Sequence, residues 1–242
     1  DQPPGPSVRA TDGVVLRLIL FLWLLASPVL AAETPFVRND LFPAVGPATA
    51  RGAFVWVPGM YGRDQTGPPD PPDIVGRYAR TGLDVFQFNR PRDNDPLAGG
   101  EERLLIGLRD LRDRGYRRIV VAGHSRGAWI ALTAMAHPGA ADAIVAISVA
   151  AHGIRPERQP QARADWAHLW SRARGTETRV VLVQLTGDPY DPDPGWRRDT
   201  AIGSSARPVS IFLPPEPTGH VGVYEPAFDE ALGAAVLRAT GD

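Results

Sequence analysis

Arg118-Ile119-Val120-Val121-Ala122-Gly123-His124-Ser125-Arg126-Gly127-Ala128-Trp129-Ile130 is the stretch whose reading decides the fold. A β-branched apolar run ends in Gly-His-Ser-Arg-Gly, and a helix-compatible run, Ala128 to Ala136, begins at once. Strand, glycine-flanked turn and helix in immediate succession make a Gly-x-Ser-x-Gly elbow. The two glycines let the backbone turn tightly enough to stand the serine Oγ above the sheet edge. The helix start aims N–H groups at the place where negative charge would develop as that oxygen attacks a carbonyl. The five-residue pattern alone also arises by chance, as a structural glycine turn that happens to contain serine. The strand before it and the helix after it favour a nucleophile at Ser125.

Outward from the elbow, apolar runs of strand length recur: Ala53 to Val57, Leu83 to Phe88, Ala143 to Val149, Arg179 to Leu185 and Arg207 to Leu213. Several are nearly continuous in apolar character, as strands buried on both faces are. Helical patterns fall between them. Asp73 to Arg80 is closed by Gly82, and Leu97 to Arg114 places Leu104, Leu105, Leu108 and Leu111 on one face before Gly115. Trp166, Leu169 and Trp170 are at helical spacing within His152 to Gly175, and Glu225 to Ala239 makes a closing helix. Thr34 to Arg51, interrupted by Pro35, Pro43 and Pro47, reads as loop or short strands. Strands alternating with helices predict an α/β fold with a mostly parallel central sheet flanked by helices on both faces, a single compact domain over 33–242. Functional loops of such sheets gather at the carboxyl ends of the strands.

The 242 residues suit one domain with ample core. A net charge of -1 gives no argument for nucleic acid or an anionic membrane surface. All 26 basic residues are arginine, which fits a GC-rich coding background more than any site. With Cys 0, disulfides, thiolate catalysis and cysteine metal sites are excluded together. Gly 25 and Pro 25 cluster in connections and read as turn chemistry. Residues 1–32 are different in kind. A polar, Pro-rich leader carries Arg9 and Arg17, the apolar run Leu18 to Leu25 follows, and small residues end at Ala31 and Ala32. These are the parts of a secretory signal peptide, and the run is too short and too soon interrupted by Pro28 for a spanning helix. We expect cleavage after Ala31 or Ala32, a secreted or periplasmic protein beginning near Glu33, and no stable membrane insertion afterwards. The odd leader, with no initiator Met, suggests a truncated or misassigned start.

A serine hydroxyl is a poor nucleophile until a base takes its proton, and that base needs a third group to orient it. Five histidines are available. His124 lies inside the tight turn, so its ring should point away from the serine. His137 reads as a helix-end residue, and His168, between two tryptophans, as a surface or packing residue. His152 follows a strand and competes for the role of base. His220 follows the last strand in a Gly-His turn before the closing helix, from which its ring can reach Ser125; its plain alternative is a turn histidine bonded to backbone. The orienting acid belongs after the strand ending at Leu185, where Gly187-Asp188-Pro189-Tyr190-Asp191-Pro192-Asp193 crowds three carboxylates. Carboxylates beside prolines are ordinary turn residues, so most of these are structural. Asp191 is favoured over Asp188, because a turn is needed to bring the carboxylate back towards the base, and Asp193 comes third.

Gly123-His124-Ser125-Arg126-Gly127, a later Asp after a strand, and then Gly219-His220 resemble the α/β-hydrolase family, whose chain order is Ser, Asp, His. The resemblance covers Ala53 to the last helix. It implies an oxyanion hole from the backbone N–H after the serine, at Arg126, and one from the loop after an early strand, at Met60 in Pro58-Gly59-Met60. That family commonly has His-Gly where this chain has Pro58-Gly59, and its acid usually sits three residues after the strand-end glycine, a spacing neither Asp188 nor Asp191 meets. The implied chemistry is cleavage of a small ester or thioester through an acyl-enzyme, with no metal and no organic cofactor. A short-chain carboxylesterase comes first, ahead of dienelactone-hydrolase-like or thioester-cleaving activity. Met60, Tyr61, Trp129, Trp166 and Trp170 are candidate pocket residues, although such side chains are more often core. Arg126 is a candidate contact for a carboxylate-bearing substrate. A serine peptidase of the same fold and a non-catalytic binding protein are the alternatives. The sequence carries no signal for an oligomeric state.

Overall fold

Every residue of β2 (Gly52–Val57), β4 (Ile119–His124) and β5 (Ala143–Ile147) is buried, so these strands have no solvent face and show unbroken apolar runs. The computed structural model describes residue 2 and residues 35–60, 69–89, 97–173, 177–204 and 209–242. The reading of residues 1–32 as a leader with a signal peptide lies, Gln2 apart, outside them, as does Tyr61. With β1 (Phe36–Arg38), β3 (Leu83–Phe88), β6 (Arg179–Val183) and β7 (Val209–Phe212), the described strands form one seven-stranded sheet in the order β1-β3-β2-β4-β5-β6-β7. β1 runs antiparallel to β3, and every other pairing is parallel.

A parallel neighbour is reached only by a crossover, and the crossovers carry the helices. These are α1 (Asp73–Arg80), α2 (Leu97–Asp113), α3 (Arg126–Thr133), α4 (Gln159–Ser171) and α5 (Pro194–Ser204). The closing helical run consists of α6 (Pro226–Phe228), a π-helical turn (Asp229–Gly233) and α7 (Ala234–Thr240). Successive side chains of a strand point to opposite faces, so the sheet fills two cores. Phe54 and Trp56 of β2 face Ile74, Val75 and Tyr78 of α1 together with Phe228 and Val236. Val55 and Val57 face the other way, into Leu104, Leu108 and Leu111 of α2, Ile130 of α3 and Trp166 and Trp170 of α4. The expectation of a mostly parallel sheet with helices on both faces holds for residues 35–242, which cluster as one compact unit.

Three local features depart from the periodicity. The strand expected to reach Val149 stops at Ile147, because Ser148 adopts φ 48 and turns the chain. Helix α5 was not expected, since its start is Pro194-Gly195 and its buried side chains are Arg197 and Ala201 rather than an apolar stripe. The closing helix is widened into the π turn at Asp229, whose carboxylate receives two hydrogen bonds from Arg77 at 2.7 and 2.8 Å. No helix among the described residues is long and apolar enough to cross a membrane.

The contact that seats the elbow is between α3 and the end of β2. A Cβ on Gly127 would run into the carbonyl oxygens of Val57 and Pro58, backbone atoms that cannot move without disturbing the buried strand. Gly127→Ala should therefore destabilise the protein by about 3 kcal/mol, which for a domain of this size lowers the thermal midpoint by roughly 6–12 °C. Thermal denaturation followed by circular dichroism measures this; an unchanged midpoint would show that the elbow relaxes.

Candidate active site

Ser125 stands at the turn between β4 and α3 with φ 56 and ψ -123. A non-glycine residue in that region carries about 1–3 kcal/mol of strain and persists only where its surroundings fix it. The surroundings do so through the backbone. Ser125 N–H donates to the Ile147 carbonyl at the end of β5 at 3.0 Å, and the Ser125 carbonyl accepts from Trp129 and Ala150, both at 3.2 Å. The Oγ is thereby held above the carboxyl ends of the central strands.

His220 reaches it from the loop after β7. Its Nε2 lies 2.8 Å from Ser125 Oγ, and its Nδ1 lies 3.0 and 2.9 Å from the two carboxylate oxygens of Asp188. A carboxylate only accepts, so Nδ1 carries the proton and Nε2 is free to accept from the serine hydroxyl. The Asp188 side chain is 1% exposed, and the Tyr190 N–H also donates to it at 2.8 Å. Gly219 N–H donates to the Thr186 carbonyl at 2.7 Å, which ties the histidine turn to the loop that bears the carboxylate.

The structure brings Asp188, and not the favoured Asp191, against the imidazole. The turn expected to need several residues is made at Gly187, whose φ of 73 reverses the chain immediately, with Asp188 N–H bonded to the Leu185 carbonyl. Asp191 serves elsewhere. It accepts from Gln184 Nε2 at 2.7 Å and lies 3.4 Å from Arg197 Nε. Arg197, itself buried, also donates to the carbonyls of Val149 (2.7 Å) and Tyr190 (3.3 Å) and stacks on Trp166. It thus fastens α5 to the loops on either side of the cleft. Burial pushes the Asp191 carboxyl up and the Arg197 guanidinium down, each opposed by the other's charge. Asp193 caps α5 through the Trp196 N–H and pairs with Arg163.

The other histidines are engaged away from the serine hydroxyl. His152 Nε2 lies 3.1 Å from Asp165, with the ring edge-on to Trp129, and burial lowers its pKa. His137, at the helix end as expected, pairs with Glu101 at 3.2 Å, and His168 is exposed. A cleft of about 310 Å³ opens at Ser125 and His220, lined also by Met60, His124, Arg126, Ala150, Ala151, Gly153, Tyr190 and Val221. Met60 and Arg126, the expected oxyanion donors, therefore border the same cavity as the serine. Trp129, Trp166 and Trp170 are instead buried in the core. Tyr190 was missed as a site residue; its ring centroid lies 4.2 Å from that of His220. Its position between two aspartates after a strand was the available signal.

His124 was read as pointing away from the serine, and it does, with a consequence for the site. Nε2 lies 2.7 Å from the His220 carbonyl oxygen, so it donates. Burial lowers its pKa from 6.5 to about 4, the neighbouring His220 adding to the effect and the bond to the His220 carbonyl opposing it. The unfolded chain thus takes up this proton as pH falls through 6.5, while the folded chain does so only near 4, and stability is lost across that window. His124→Gln removes the titration and should shrink the fall in unfolding free energy between pH 7 and pH 5 by about 2 kcal/mol. Urea denaturation at the two pH values measures this; an unchanged pH dependence would contradict a buried neutral imidazole.

No model of a known sequence family matches the chain, and no curated protein matches it. Solved structures do. The Pyrococcus furiosus esterase Pf2001 is 14% identical over 79% of this chain and 82% of its own, with a TM-score of 0.58. The alpha/beta hydrolase GrgF from Penicillium sp. sh18 is 15% identical over 82% and 91%, with a TM-score of 0.60. An acetyl xylan esterase from Paenibacillus sp. R4 is 15% identical over 85% and 78%, with a TM-score of 0.55. The likeness is one of architecture, and the chain has the α/β-hydrolase fold.

Proposed function

We propose that this α/β-hydrolase-fold protein is a serine hydrolase that cleaves small carboxylic esters or thioesters through an acyl-enzyme. The observation that carries the reading is the unbroken sequence of contacts from Asp188 through His220 to Ser125 Oγ at the mouth of a cleft. Ser125 Oγ attacks the substrate carbonyl carbon while His220 Nε2 takes its proton, and Asp188 holds the imidazole in the required tautomer and stabilises the imidazolium. The backbone N–H groups of Met60 and Arg126 receive the oxyanion. The imidazolium then protonates the leaving alcohol or thiol, and a water activated by the same histidine releases the acid and restores the serine. No step needs a metal or an organic cofactor.

Substrate size follows from the cavity. A volume of about 310 Å³ lies at the low end of small-molecule sites, and Met60, Ala150, Ala151, Gly153 and Val221 give its wall an apolar part beside the polar groups. A short acyl group on a simple alcohol or thiol fits this description, and the esterases among the structural neighbours support it. We also propose export, residues 1–32 being removed near Ala31 or Ala32, so that the mature protein works outside the cytoplasm.

A fluorophosphonate probe should label Ser125 in the wild-type protein and fail to label Ser125→Ala or His220→Ala. With p-nitrophenyl acetate, Asp188→Asn should lower kcat by about 10³- to 10⁴-fold, whereas Asp191→Asn should lower it by less than about 10-fold, as expected for loss of packing around the loop. A greater loss at Asp191 would reverse the assignment of the acid. A folded wild-type protein that is neither labelled nor hydrolytic would be a binding protein of this fold.

A further inference from the structure

We infer that His124 is a positioning residue that holds the His220 imidazole over Ser125. The inference rests on the serine-hydrolase reading of the site. His220 packs its ring against Tyr190, but the turn that carries it is only partly buried: β7 is half-buried and the neighbouring Val221 is 62% exposed. One side of the turn is fixed by the bond from Gly219 N–H to Thr186. The other is gripped by His124, whose Nε2–H meets the backbone carbonyl of His220 itself at 2.7 Å. Because His124 is the last residue of the fully buried strand β4 and immediately precedes Ser125, nucleophile and base are referred to the same rigid element.

The ring that makes this bond has little freedom. Its centroid lies 5.3 Å from that of Tyr224, edge-on, and 4.9 Å from that of His220. Gly59 closes over its far side, where a Cβ would stand 2.9 Å from His124 Nδ1. That Nδ1 is buried and has no hydrogen-bond partner among the described residues. An orphaned polar atom of this kind is destabilising, and an apolar side chain of similar size would avoid it. What a leucine there would lack is the Nε2–H donor, and among the described residues that donor meets the His220 carbonyl. His124 also borders the cleft, but its Nε2–H is committed to the His220 carbonyl, so it acts through the backbone of the base.

Three variants separate positioning from space filling. His124→Leu keeps bulk and removes the donor, His124→Gln keeps an amide donor at nearly the reach of Nε2, and His124→Asn keeps an amide that falls short. Each is assayed as the whole protein on p-nitrophenyl acetate, with reactive sites counted by fluorophosphonate titration so that rates are per competent site. His124→Leu and His124→Asn should lose about 10- to 100-fold in kcat with KM changed by less than about 3-fold, and His124→Gln should recover to within about 5-fold of wild type. Wild-type kcat per site in the Leu or Asn variant, or equal losses in Gln and Asn that follow their thermal midpoints, would overturn the inference. If His124→Leu does not fold, the Gln–Asn pair decides. Failure of the functional reading is seen separately, as absence of labelling and turnover in the wild-type protein.

Discussion

The site depends on one constraint: Ser125 must occupy a backbone conformation that L-residues avoid, at φ 56. Nothing in the five-residue motif stabilises that conformation by itself. It is imposed by the end of β5, which receives the Ser125 N–H, by Ala150 and Trp129, which donate to its carbonyl, and by the close seating of Gly127 on the end of β2. Three buried strands and the first turn of a helix thus converge on one residue. Strain of this kind survives only where the surroundings over-determine it, and here they are the most buried part of the sheet.

Around this fixed point His220 and Asp188 come from loops, and each loop is tied down by short polar contacts. Gly187 reverses the chain beneath His220, Gly219 N–H reaches across to Thr186, and His124 meets the His220 carbonyl. Arg197 performs the corresponding task on the far wall, joining Val149, Tyr190 and Asp191 through one guanidinium. A planar group with five donors suits a site where several carbonyls must be satisfied together. The arrangement explains why Asp191 is nearly as buried as the triad-like Asp188 and yet stands apart from the imidazole: it is the counter-charge of Arg197.

The sheet and most helices were legible because burial on both faces leaves a plain trace, as in Ala53 to Val57 and Ala143 to Ile147. The elbow was legible because its glycines are required by close backbone approach, and the Gly-His turn because it follows the last strand. Helix α5 was not, since Arg197 buries itself through carbonyl contacts that no hydrophobic period records. Which of Asp188 and Asp191 meets the imidazole was not legible for a similar reason. It turns on the sign of one dihedral at Gly187, and both spacings are compatible with the sequence. Tyr190 and the grip of His124 on a backbone carbonyl depend on contacts between residues far apart in the chain, 96 positions in the second case, which residue type and spacing do not encode.

The central claim is that Ser125 carries the acyl group during turnover. Mixing the protein with p-nitrophenyl acetate, quenching in acid within the first turnovers and mapping peptides by mass spectrometry tests it directly. The account predicts an acetyl group on the peptide containing Ser125, localised to that residue and absent when Ser125 is replaced by alanine. Rapid hydrolysis with no acylated serine, or an acyl group on a different side chain that persists in Ser125→Ala, would contradict it.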